Sequence, residues 1–87
     1  MEIISMPIII TREGEWFVGA CPLLDIATQG KTEEEVKENL RDLIEEYMED
    51  PDTKKPELKT IMSASISVTN VPVKMEHYGK IAPAISA

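Results

Sequence analysis

An 87-residue chain with a hydrophobic content of 43% is the size of one small domain, near the length at which a single core is only modestly stable. One cysteine excludes an intramolecular disulfide and a multi-cysteine metal site. The net charge of −7 is concentrated: nine acids and two bases lie between Glu33 and Asp50, and acids and bases cancel elsewhere. Such a face repels a phosphate backbone, which disfavours direct nucleic-acid binding through it. There is no charged-then-apolar leader and no run of about 18 apolar residues, so a soluble cytoplasmic protein is expected.

Ile3 to Arg12 is β-branched and alternates with a period of two, Ile4, Met6, Ile8 and Ile10 against Ile3, Ser5, Pro7 and Ile9. Apolar residues on both sides suit a strand buried on both faces or used in an interface. Pro7 has no backbone donor and places its stretch at an edge or an irregularity. Glu13-Gly14 reads as a hairpin turn. Glu15 to Ala20 then forms a second strand, closed by Cys21 and Pro22. Asp25 to Gln29 is a short third strand ending at Gly30.

Thr32 opens a helix through a capping box with Glu35, whose loss would cost roughly 1 kcal/mol. Val36, Leu40, Leu43, Ile44, Tyr47 and Met48 form a continuous apolar stripe at helical spacing, able to cover one sheet face. Pro51 ends the helix, and a polar loop runs to Pro56. From Lys59 to about Asn70, Met62, Ala64, Ile66 and Val68 alternate with Ser63, Ser65, Ser67 and Thr69, which predicts a fourth, half-wet strand. The expected order is β-β-β-α-β, an α+β domain over residues 1–70. Residues 71–87 are expected to form a C-terminal arm, with no recognisable DNA-binding domain. The apolar character of Ile3 to Ile10 and of this arm points to a homodimer or higher oligomer.

Catalytic chemistry finds little support. His77 is the only histidine, and one histidine without Cys or His neighbours cannot make a zinc site within one chain. Cys21 has no basic neighbour in sequence to lower its pKa and reads as a small packed residue. Ser63, Ser65 and Ser67 lack a nearby base and read as a polar strand face. The acidic helix has no D-x-D-x-D-G loop of the kind that converges oxygen ligands on a cation. Its first-turn acids complement the helix dipole, whereas Glu45, Glu46, Glu49 and Asp50 oppose it at roughly 0.3–1 kcal/mol each where exposed. Glu38–Asp42 and Asp42–Glu46 add like-charge i,i+4 pairs. Two accounts remain open: a solubilising face, or a surface complementary to a basic partner.

The order of Ile8 to Thr11, Glu13-Gly14, Trp16-Phe17-Val18, Cys21-Pro22, Gln29-Gly30 and Thr32 to Val36 resembles the HicB family, the antitoxin halves of HicA–HicB toxin–antitoxin pairs. The resemblance spans roughly residues 3–70. Leu23-Leu24-Asp25-Ile26-Ala27 stands where many members have Leu-Pro-Gly-Cys, and Glu35-Val36 where Glu-Ala is usual. It implies a partial RNase H-like sheet carrying one amphipathic helix. It also implies no enzymatic activity or cofactor, and a partner that is a small basic HicA-like toxin cleaving mRNA. A two-metal nuclease would need carboxylates on the core strands, and Ile3 to Thr11 has none. Partner contacts are then expected from Glu13, Glu15, Trp16, Asp25, Glu38, Asp42, Glu45, Glu46 and Glu49. The alternative is an orphan homo-oligomeric HicB-like interaction domain without a toxin. A third reading is a small-molecule-binding or enzymatic domain on the open sheet face.

Overall fold

Gly14, at φ +66°, reverses the chain between strands β1 (Ile9–Glu13) and β2 (Trp16–Cys21) in the computed structural model, which describes residues 3–76. Glu13 pairs with Trp16, so the two loop residues are Gly14 and Glu15, one position later than the sequence suggests. A positive φ at the first loop residue alone is the type II′ arrangement, whose twist matches the flanking strands. Asp25, at φ +56°, closes the Pro22–Asp25 turn into β3 (Ile26–Gly30). Asp tolerates this left-handed conformation better than most residues. The three strands form an antiparallel sheet in the order β1-β2-β3.

Helix α1 (Glu33–Glu49) follows at once. Its capping box forms: the Glu35 N–H donates to Thr32 Oγ1 at 3.1 Å, and the Glu35 carboxylate accepts from the Lys31 N–H at 3.4 Å. The reach-back therefore lands on the residue before the cap, and still satisfies a free backbone donor. At the far end the Asp50 carboxylate accepts from the Asp52 N–H at 2.9 Å and the Thr53 hydroxyl at 2.7 Å. Lys55 Nζ donates to the Asp50 carbonyl and to the Thr53 carbonyl. A helix with no base in its last turn thus receives its cation from the loop beyond it. Asp50 organises this turn, which the sequence alone presents only as an acid opposing the dipole.

Val36 and Leu40 are fully buried against the sheet, with Cys21, Leu24 and Ile61 completing the core. The helix comes this close because Gly19 has no side chain. A Cβ there would collide with Val36 and lie 2.8 Å from Leu40 Cδ1. Ile44, Tyr47 and Met48 are half-buried, and Leu43 drifts to the exposed margin of the stripe. Burying Leu40 and Val36 contributes roughly 1.5–3 kcal/mol each.

Two expected elements differ. The first strand begins at Ile9; residues 3–8 lie outside any ladder, consistent with the missing donor of Pro7. The expected fourth strand is replaced at its start by a short helix, α2 (Leu58–Ser63), so the observed order is β-β-β-α-α. Leu58, Ile61 and Met62 also satisfy helical spacing, and coiling places Ile61 in the core at 3% exposure. Ser63 is then no strand residue: its hydroxyl donates to the Lys59 carbonyl at 2.9 Å. From Ala64 to Met75 the chain continues with no ladder partner among the described residues. The α+β class holds, and no described helix is long and apolar enough to cross a membrane. Of the expected arm, residues 71–76 are described and exposed, and residues 77–87, His77 among them, lie outside the described residues.

Candidate functional site

Side chains of β2 alternate between two environments. Phe17, Gly19 and Cys21 face α1, whereas Trp16, Val18 and Ala20 face the side with no covering layer among the described residues. By register, Ile9, Thr11 and Glu13 of β1 and Ala27 and Gln29 of β3 share that open face. Trp16 stands at its corner, 43% exposed, and is not a core residue. Glu13 lies directly across from it, and Glu15 occupies the adjoining loop.

Two cations join the aromatic side chains at this end of the sheet. Lys31 Nζ lies 5.8 Å from the Trp16 ring centre, and Arg12 Cζ lies 5.7 Å from that of Phe17. Exposed contacts of this kind contribute roughly 0.5–1 kcal/mol and hold the rings in place. Arg12 Nε also donates to the Gly14 carbonyl at 3.2 Å, tying the hairpin loop to its strand. Neither cation stands out in sequence. Lys31 reaches Trp16 only because Gly30 pairs with Phe17, a register that no local pattern announces.

The acids of α1 form a second surface. Glu38, Asp42, Glu45 and Glu49 recur at steps of four, three and four along one exposed row, and Glu46 lies one turn beyond Asp42. Among the described residues, the one ion pair on this helix is Lys37–Glu34, at 3.7 Å near its N-terminal end. No ion pair among the described residues joins the row from Glu38 to Glu49, and Arg41, one turn from Glu38 and from Glu45, is the one base within it. Glu46 borders a shallow hollow of about 280 Å³ with Ile26, Leu43, Tyr47, Asp50 and Thr53. The Tyr47 hydroxyl donates to the Lys54 carbonyl at 3.0 Å and fixes the wall of that hollow.

The expected contact residues thus divide into three groups. Glu13, Glu15 and Trp16 gather at the hairpin end; Glu38, Asp42, Glu45, Glu46 and Glu49 lie on the helix; and Asp25 sits at the opposite end of β2 from Trp16. Cys21 is free and fully buried, packed as a small core residue. Among the described residues no group of three His, Cys, Asp or Glu converges to hold a metal ion. The carboxyl of Asp50 is held below its ordinary value, chiefly by the Thr53 hydroxyl and the Asp52 N–H, with Lys55 adding to the effect. That geometry serves the helix end.

Comparison with models of known families, with curated proteins and with solved structures gave no match for this chain.

Proposed function

We propose that this protein is a HicB-like antitoxin or regulatory binding module that neutralises a small basic mRNA-cleaving toxin of the HicA type by direct contact. The observation that carries this reading is the acidic row on α1, five acids with one base among them and no ion pair among the described residues. An RNA-cleaving protein presents a cationic substrate surface, and an acidic row speeds encounter with such a surface. Trp16 at the hairpin end supplies the kind of exposed aromatic anchor that sets residence time. On this reading the chain works in the cytoplasm by occlusion, and has no catalytic role or cofactor of its own.

The test is capture of partners by the tagged full-length chain from its host, followed by titration with the captured protein. A small basic protein bound stoichiometrically, released by high salt and weakened about tenfold or more by the pair Asp42→Lys and Glu45→Lys, supports the reading. Recovery of the chain alone would sink it. A second reading, an orphan homo-oligomeric interaction domain, is favoured by the cleft between the 3–8 segment and α1, whose apolar floor includes Ile4, Met6 and Ile44.

A further inference from the structure

The sheet ends at an unpaired edge among the described residues, and the same chain carries a segment that alternates like a strand but joins no ladder. The outer edge of β1 has no ladder partner among the described residues. Where the chain leads into that strand, a cleft of about 250 Å³ lies between the 3–8 segment and α1, with an apolar floor of Ile4, Met6, Ile8, Leu40 and Ile44 and a charged rim of Lys37, Arg41 and Glu45. A neighbouring hollow of about 440 Å³ shares Ile4, Met6 and Ile44 and extends the lining to Met48. Apolar side chains on two walls leading into an edge strand are what a further strand would cover.

That segment runs from Ala64 to Val71. Ala64, Ile66 and Val68 alternate with Ser65, Ser67 and Thr69, the pattern of a strand with one dry and one wet face. Ala64 has extended backbone, at φ −73° and ψ 147°, and borders a hollow with Ile4 and Met6 of its own chain; Ala64 and Ile66 are half-buried, yet Val68 is 84% and Val71 76% exposed. The radius of gyration is 17.0 Å and the long axis 54 Å, against roughly 12 Å expected for the radius of a compact domain of this size. Eight residues of strand span roughly 26 Å, enough to cover β1 and the segment before it. No charged residue lies between Ala64 and Val71, so the stretch can lie beside Glu45 and Glu49 without repulsion, and Pro72 ends its capacity to donate.

We propose that two copies of this chain exchange these arms, the 64–71 segment of each adding a fourth strand beside β1 of the other. Exchange of an identical element closes as a two-fold dimer, and both edges and both arms are satisfied at once. Ile66 and Val68 would enter the cleft over Met6, Ile8 and Ile44, leaving Ser65 and Ser67 outward. The inference stands apart from the toxin reading, since it requires only this chain.

Light scattering of the full-length protein, with isotope-filtered NOE spectra of a mixed labelled and unlabelled sample, tests it directly. The expected result is a dimer with contacts from Ile66 to Met6 or Ile8 of a different copy. Ile66→Asp weakens self-association by about 100-fold or more, whereas Ser67→Asp, on the wet side, changes it by less than about threefold. Circular dichroism confirms that each variant keeps its helix. A monomer at about 100 µM, a dimer indifferent to Ile66→Asp, or contacts confined to one copy would each overturn the exchange. The wild-type spectra decide the matter even if Ile66→Asp does not fold.

Discussion

Gly19 of the middle strand and Val36 of the helix are in contact with no room between them: a methyl group placed on Gly19 would occupy the space of the valine side chain. The closest approach of helix and sheet is set by this pair, and Leu40 seats itself one turn later over the same strand. Gly19→Ala is expected to cost about 1–3 kcal/mol through overpacking. Val36→Ala, which leaves a small cavity, costs about 1–2 kcal/mol. In the double variant the new methyl fills the vacated space, so denaturant unfolding should show a loss well below the sum. Additive losses would mean that the two positions do not share that volume.

The acidic turn after α1 makes stability depend on pH in a defined direction. The Asp50 carboxyl has its folded pKa below the ordinary 3.8, with hydrogen bonds from Thr53 and Asp52 as the main cause. Its contribution is therefore complete above the ordinary value and disappears as pH falls through the lowered one. Asp50→Asn should melt at a lower temperature than wild type at neutral pH, with the gap closing in acid. The exposed setting makes the effect small and salt-sensitive. A gap that stays constant down to about pH 2 would assign the loss to geometry alone.

Thr32→Ala removes the acceptor for the Glu35 N–H and should cost about 1 kcal/mol in thermal or chemical unfolding. Glu35→Ala should cost less, because its bond to the Lys31 N–H is long and exposed.

Trp16→Ala should leave unfolding within about 1 kcal/mol of wild type, since the ring is half-exposed and loses mainly its contact with Lys31. If Trp16 is an anchor for a partner, the same change weakens binding by about 30-fold or more in calorimetry. A large stability loss with unchanged binding would make it a structural residue.

Much of this arrangement is legible along the chain because the signals are local. The capping threonine, the hairpin glycine, the 3.6-residue stripe and the proline after Asp50 each act within a few residues, and α1 begins and ends where they place it. The stretch after Pro56 is different. Leu58, Ile61 and Met62 fit a helix, while Met62 to Val68 fits a strand, and burial of Ile61 decides the first part. The second part keeps its alternation without finding a neighbour in its own sheet. The pairing of Lys31 with Trp16 and the anchoring of Lys55 at the helix end depend on register and loop path, which composition does not encode. Among the expected contact residues, Asp25 lies in the turn between β2 and β3, at the end of the sheet away from the hairpin.

The concentration of charge on α1 has an orientational consequence. Nearly all the net charge lies on one side of the sheet, and Val18 and Ala20 lie on the other, so the molecule has a dipole roughly normal to its strands. Near any cationic surface the torque on that dipole turns the helix inward before contact is made. A layer of this protein held on an anion-exchange support would accordingly stand with its bare strands facing the solvent, oriented without any tag.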